Sequence, residues 1–371
     1  MDYKSRALKE LQDNRSNQAG KQALVGLDGF VDTILHLVDK RHCQGDNFTR
    51  LDTIEEFGSR ISAAAGMSTN IEMYPKMDKL GGNGPIMANA VLAAGYPVRY
   101  LGALGANGVH PVFQDFATKT NAISVCDPGF TNAIEFTDGK VMMGITKALD
   151  DLTYDLIVGK IGEGEFFDIL SRSTLIALVN WTMIPNMTAI FSSFITKVLP
   201  NLPPVEGGRS FFFDLADPEK RAQAELVEAL RTIEKFQSFG NVVLGLNLSE
   251  GKQVSEAFEI KEDGDDPESL KRMAAAIRRE LNVKAVVVHP KERAACATKE
   301  GEWCVEGPYV NNPKITTGAG DHFNAGFMSA QQLGLSPEAC LTVGVCFSGF
   351  YVRTAKSPSF NDVDTFLREW K

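Results

Sequence analysis

Residues Thr316-Thr317-Gly318-Ala319-Gly320-Asp321-His322-Phe323-Asn324-Ala325-Gly326-Phe327 place a glycine-rich turn, a carboxylate and the start of a helix side by side. Small residues at 318, 319 and 320 let the backbone come close to a ligand. The apolar set Phe323, Ala325, Phe327, Met328 and Ala330 predicts a helix with one buried face. The first N–H groups of that helix have no partner within it and lie at the positive end of its dipole, a natural seat for a phosphate. Asp321 beside them is placed to take a proton from an attacking hydroxyl. The same pattern also describes a plain helix start with Asp as its N-cap. The local pattern alone leaves both readings open.

Three further constellations sit in turns. Asp28 and Asp32 follow the apolar run Ala23–Gly26, and ionised carboxylates there accept hydrogen bonds from a polyol. Asp28-Gly29 is equally a simple turn. Gly81-Gly82-Asn83-Gly84 strips side chains from the backbone, for a ligand or merely for a loop-to-helix connection. In Asn247-Leu248-Ser249-Glu250 an amide and a carboxylate three residues apart share a helix face. They suit a hydrated Mg²⁺ beside phosphates, or simply a capping box. The five histidines show no ligand spacing, and His322 reads as a helix-surface residue, with a supporting place beside Asp321 as the alternative. GxxxxGK[ST], HExxH and GxSxG are all absent, which disfavours P-loop, zincin and α/β-hydrolase chemistry.

These turns need elements to hold them. A short amphipathic helix is expected at 4–13 and another from Thr53-Ile54-Glu55-Glu56, whose spacing is that of a capping box. A small-residue helix over Pro85–Ala94 stops at Gly95, and Asp138-Gly139 marks a hairpin. From Val98 onward short apolar runs alternate with helical patterns. Strands are expected at 175–180, 210–214, 242–246 and 285–288, with helices at 186–198, 218–239, 267–281, 321–333, 337–353 and 361–370. This rhythm predicts a mostly parallel sheet covered by helices on both faces, which binds ligands at the carboxyl ends of its strands.

A chain of 371 residues accommodates one large domain with an appendage, or two domains. Its 44% hydrophobic and 23% charged content is that of a globular protein. A net charge of −9 argues against a general nucleic-acid surface. The uncharged stretch 173–196 holds Asn180, Thr182, Pro185 and Asn186 and reads as strand then helix rather than a membrane span. The charged N-terminus has no apolar signal region. Six scattered cysteines without CxxC spacing are expected to be reduced, in a cytoplasmic protein.

The order and separation of these pieces resemble the ribokinase-like (PfkB) carbohydrate kinase family over residues 22–370, with Thr316–Phe327 as the strongest segment and Gly81–Gly105 similar to the family's N-terminal signature. The resemblance implies a three-layer α/β/α sandwich with a mostly parallel central sheet and a small β-rich lid. Residues 1–32 and 81–371 would form the main unit, and 33–80, with part of 122–150, the lid, lengthened by an insertion. It implies an ATP-dependent kinase acting on a hydroxyl of a sugar or related polyol. Asp321 would be the general base, with Gly318, Ala319 and Gly320 forming the anion hole. Asp28, Asp32, Gly81, Gly82 and Asn83 would meet the substrate. Thr317 and Asn324 would meet the nucleotide, and Asn247 and Glu250 would order Mg²⁺ through water. A small-molecule sugar partner is implied, with neither nucleic acid nor membrane, and lids of this kind often pair into homodimers.

Three positions depart from the pattern. Ile86 stands where the family has an asparagine, unless Asn83 takes over that role. Ile315 replaces an aspartate that helps bind a monovalent cation in some members, so potassium activation does not follow. Val288-His289-Pro290 replaces a Thr-x-Gly that approaches the nucleotide, with Lys291 and Arg293 as candidate substitutes. The alternatives are a nucleoside kinase of the same fold and a non-catalytic sugar-binding or regulatory protein.

Overall fold

The computed structural model describes residues 2–370. Its strands are, in chain order, β1 (Ala23–Leu27), β2 (Phe30–Arg41), β3 (Phe48–Arg50), β4 (Glu72–Gly81), β5 (Val98–Ala103), β6 (Ile123–Cys126), β7 (Gly129–Glu135), β8 (Lys140–Ile145), β9 (Leu175–Leu178), β10 (Ser210–Asp214), β11 (Asn241–Leu246), β12 (Ala285–Val288), β13 (Arg293–Ala297) and β14 (Glu302–Glu306). Nine form the central sheet in the order β14-β13-β12-β11-β10-β9-β1-β5-β6. All neighbours are parallel except at β12–β13 and β13–β14, an antiparallel edge.

Each central strand is apolar on both faces because helices cover both. Phe211 and Phe213 of β10, Val242, Leu244 and Leu246 of β11, and Val286 and Val288 of β12 pack into one core layer. The helices Gln223–Lys235 and Pro267–Leu281 lie in that layer. The intervening Phe212, Val243 and Val287 point the other way, toward the helices Asn83–Ala93, Ala319–Leu333 and Pro337–Thr354. This two-residue alternation between two cores is the signature of a buried parallel sheet.

A second sheet, order β3-β2-β7-β8 with β4 also paired to β2, stands apart from the first. Its small core of Leu35, Leu37, Leu51, Ile134 and Phe136 is closed by Phe57 from the helix Ile54–Ala63. That helix begins with the Thr53–Glu56 capping box expected from sequence. Two expectations need correction. The chain does not turn through Asp28–Asp32: only Asp28-Gly29 breaks it, and β2 then runs twelve residues into the second sheet. Asp32, expected at the end of the main unit, is paired within that sheet, opposite Lys79 and Thr131. The long helix expected at 218–239 is a short turn at Pro218–Lys220, a helix over Gln223–Lys235 and a closing turn at Phe236–Ser238. No helix of the described residues is long and apolar enough to cross a membrane.

Candidate active site

The loop before the Ala319–Leu333 helix closes at Gly318, whose φ of 88° lies in the left-handed region that favours glycine. Gly318 is the N-cap. Asp321 therefore lies inside the first helical turn, which sets aside the reading of Asp321 as a plain cap. The donors of this turn are fewer than the sequence suggests. The Ala319 N–H donates to the Thr316 carbonyl (3.1 Å), so Ala319 leaves the expected anion hole. The N–H groups of Gly318, Gly320 and Asp321 remain, with no backbone acceptor among the described residues.

Asp321 is 8% exposed and accepts a hydrogen bond from Asn83 Nδ2 (3.0 Å). Burial, helped by the charges of Asp28 and Glu250, pushes its carboxyl up to about 8, against the Asn83 hydrogen bond that pulls it down. Asn83 is itself placed by Asp28. The Asn83 and Gly84 N–H groups, which open the Asn83–Ala93 helix, donate to Asp28 Oδ2 (2.9 Å) and Oδ1 (2.8 Å), and Asn180 Nδ2 adds a third bond (2.6 Å). Asp28 is fully buried, with burial raising its carboxyl to about 6. It has no face left for a polyol, so its expected direct contact with substrate gives way to a positioning role. Ile86, where the family has an asparagine, packs its methyl against Gly318, and the amide that faces Asp321 is that of Asn83.

Gly81 and Gly82 connect Asp32 to this network. A Cβ on Gly81 would overlap the Asp32 carboxylate, and one on Gly82 would meet Asp28 Oδ2 at 3.0 Å. Asp32 is half-buried, and its carboxyl is raised by burial against a hydrogen bond from the Thr131 side chain.

On the opposite wall, Asn247 and Glu250 form the capping box. Asn247 N–H donates to Glu250 Oε2 (2.8 Å) and Glu250 N–H to Asn247 Oδ1 (3.0 Å). The Asp217 N–H also donates to Glu250 Oε1 (3.1 Å). Capping does not remove them from the site, since both line a cleft of about 480 Å³ together with Asn83, Asp214, Gly318, Gly320 and Asp321. Asp214, at the end of β10, is the residue that sequence reading missed. It is buried, and its proton affinity is raised by burial and then by Glu250 and Asp321. Its signal was a carboxylate ending the apolar run Ser210–Asp214. Asn324, expected at the nucleotide, is 2% exposed and donates to Asp214 Oδ2 (2.9 Å). It braces Asp214 and does not line the cleft. Thr317 does not line it either, Thr316 does, and the Thr317 carbonyl accepts from Tyr351 OH (3.1 Å).

The same cleft is lined by His289, Lys291 and Arg293. His289 Nε2 is sealed without a partner, and burial holds the imidazole neutral by lowering it to about 4. Its ring lies on Phe323, with centroids 4.6 Å apart. Arg293 pairs with Glu306 at 3.4 Å, whereas Lys291 makes no ion pair among the described residues. Asp214, Glu250 and Asp321, each raised in proton affinity by burial and also by neighbouring carboxylates, line the cleft beside N–H groups of Gly318 and Gly320 that have no backbone acceptor among the described residues. Free N–H groups beside acceptor oxygens are the kinds of group that can hold a phosphate together with a cation. No three His, Cys, Asp or Glu side chains of the described residues close on one metal position. The donor set accordingly fits a hydrated Mg²⁺ carried on a nucleotide better than a protein-only cage.

Comparison with known proteins bears on this geometry. The model of the prokaryotic ketohexokinase family matches residues 4–370. A ketohexokinase of Haloferax volcanii is 26% identical over 351 residues, which cover 94% of this chain and 91% of that protein. Ribokinase from Thermotoga maritima superposes with a TM-score of 0.61 at 18% identity, covering 94% of this chain and 99% of its own. Arabidopsis thaliana ribokinase complexed with ribose and ATP gives 0.62 at 16% identity, covering 94% and 99%. A nucleoside kinase of Methanocaldococcus jannaschii gives 0.57 at 13% identity, covering 94% and 98%. The structural likenesses establish the fold, and the family match adds the activity: the chain belongs to the prokaryotic ketohexokinase family and is an ATP-dependent carbohydrate kinase of the ribokinase-like (PfkB) group.

Proposed function

We propose that the protein transfers the γ-phosphoryl group of ATP to a hydroxyl of a ketohexose, with Asp321 as general base. The observation that carries this reading is the position of Asp321. It is a buried carboxylate of raised proton affinity, oriented by Asn83 and beside the N–H groups of Gly318 and Gly320, which have no backbone acceptor among the described residues. Asp321 takes the proton as the hydroxyl oxygen bonds to phosphorus, and the bond from phosphorus to the β-phosphate oxygen breaks to release ADP. The N–H groups of Gly318 and Gly320 face the charge that grows on the transferring oxygens, while that of Asp321 lies against its own carboxylate. Glu250 and Asn247 would hold Mg²⁺ through water, and the ion would neutralise phosphate charge. Lys291, without an ion pair among the described residues, would meet the nucleotide phosphates. Asp32 and the Gly81-Gly82 backbone present acceptors and open space to the sugar. Of the residues expected from sequence, Asp28, Thr317 and Asn324 support this arrangement rather than touch the reactants, and Ala319 lines the cleft without offering its N–H.

The ketohexose assignment follows the name carried by the Haloferax relative. A screen of ATP consumption against ketohexoses, aldoses, sugar phosphates and nucleosides, with and without Mg²⁺ and K⁺, tests it. Mg²⁺-dependent turnover is expected with a ketohexose, and turnover confined to aldoses or nucleosides overturns the assignment. Two further features belong to this reading. Met73, Met77, Phe130, Met142, Met143 and Ile145 leave large apolar side chains exposed on β4, β7 and β8, which favours a homodimer through the second sheet. Six free cysteines and the use of ATP favour a cytoplasmic location.

A further inference from the structure

The N–H groups that meet the phosphoryl group are useful only if their peptide planes are fixed, and two side chains on the far side of the turn hold those planes. The Gly318 carbonyl accepts from the His322 N–H (3.0 Å) and also lies 2.7 Å from His322 Nδ1. His322 Nε2 lies 2.9 Å from the hydroxyl of Ser357, in the loop after the Pro337–Thr354 helix. The imidazole is 2% exposed and stacks on Tyr351 with centroids 3.6 Å apart and planes at 14°. Tyr351 in turn donates its hydroxyl to the Thr317 carbonyl.

Hydrogen-bond chemistry determines where the His322 proton sits. A carbonyl only accepts, so Nδ1 carries the hydrogen; in a neutral ring Nε2 then accepts, and Ser357 must donate to it. Burial keeps the ring neutral by lowering it to about 4. Peptide planarity carries the effect to the cleft. The Thr317 carbonyl and the Gly318 N–H belong to one trans peptide and point in opposite directions. Holding that carbonyl on Tyr351 therefore aims the Gly318 N–H away from Tyr351, into the turn. The Gly318 carbonyl is likewise anchored by two donors of His322, its N–H and its ring Nδ1, which fixes the start of the helix that presents Gly320 and Asp321.

Building on the kinase reading above, we infer that His322, in its Nδ1–H form and backed by Ser357 and Tyr351, is a positioning residue that sets the phosphoryl-binding turn. The sequence favours a helix-surface place for His322 over one beside Asp321; the residue is buried instead, by partners beyond its own helix, Ser357 and Tyr351, that lie about 30 residues away.

The test uses the full-length protein. Two-bond ¹H–¹⁵N spectra of ¹⁵N-histidine-labelled protein near neutral pH report each tautomer, and His322→Asn assigns the signal. Expected is an Nδ1–H signal for His322, which Ser357→Ala converts or broadens. In steady-state kinetics, His322→Leu is expected to lower kcat about 10- to 100-fold, and Tyr351→Phe and Ser357→Ala about 3- to 10-fold, with KM for sugar little changed. His322→Asn, whose amide can still donate to the Gly318 carbonyl, recovers part of the loss. An Nε2–H tautomer in the wild type overturns the inference. So does a folded His322→Leu or Ser357→Ala protein with unchanged kcat. A wild type without kinase turnover, or a fully active Asp321→Asn, would instead overturn the kinase reading and leave the tautomer result intact.

Discussion

Replacing Asp321 by Asn should lower activity and raise stability at once, and the stability gain should grow with pH. The folded chain raises this carboxyl from 3.8 to about 8, chiefly by burial. A group whose folded value is raised holds a proton that the unfolded chain has already released. Its contribution to stability is intact below about pH 4 and is lost progressively as pH rises to about 8. A difference of roughly four units corresponds to at most roughly 5 kcal/mol of destabilisation in the unliganded protein at alkaline pH. Relaxation around the coupled carboxylates Asp28 and Glu250 brings the expectation to about 2–5 kcal/mol, or roughly 3–6 °C in Tm for a chain of this size. Asn is isosteric and keeps an oxygen to accept from Asn83 Nδ2, so it removes the charge and leaves the contact. Thermal unfolding without ligand at about pH 5, 6.5 and 8 measures the effect. The variant should gain little at pH 5 and most at pH 8, while kcat falls at least about 10²- to 10⁴-fold. A stability difference that does not change with pH, or turnover near that of the wild type, would refute the argument.

The base reading also fixes a pH profile: kcat/KM should rise with pH as Asp321 ionises in the free enzyme, with a midpoint near 8, and a flat profile from pH 6 to 9 would count against it. Asp28→Ala should destabilise the fold by roughly 3–5 kcal/mol, because it strands the N–H groups of Asn83 and Gly84 and the Asn180 amide, as denaturant unfolding will report. Gly81→Ala should displace the Asp32 carboxylate and raise KM for sugar about 10-fold or more while KM for ATP stays constant, and equal effects on both would show that Asp32 is not on the sugar side. Glu250→Gln replaces one of the oxygens that accept from Asp217 and Asn247 with a donor; the Mg²⁺ concentration for half-maximal activity should rise about 10-fold, and an unchanged Mg²⁺ requirement would remove Glu250 from that role.

What the sequence carries about the fold is what local periodicity can carry. Phe211 to Phe213 and Val242 to Leu246 are apolar at every position because both faces of their strands are buried, so the parallel layer was readable. The Thr53–Glu56 and Asn247–Glu250 capping boxes were readable for the same reason, since cap and partner lie within one turn of each other. Strand β2 was not. It takes its partners from β4 and β7, about 40 and 100 residues away, and its first residues resemble a polar turn until those partners are known.

The site divides in the same way. By itself the sequence placed the glycine turn, Asp321 and the helix start side by side, because such groups must be adjacent in the chain to act together, and it left the helix-cap and anion-site readings both open. Only the tertiary structure decided which side chains surround that turn. It buried Asp28 beneath Asn83 and set Asn324 behind Asp214, whereas Ala319 is withdrawn by a local bond to the Thr316 carbonyl three residues back. It also brought Asp214 from the end of β10 and Ser357 from the C-terminal loop to the same few ångströms. Those outcomes depend on burial and on hydrogen bonds between residues from about 30 to more than 200 positions apart, and only packing selects such pairs.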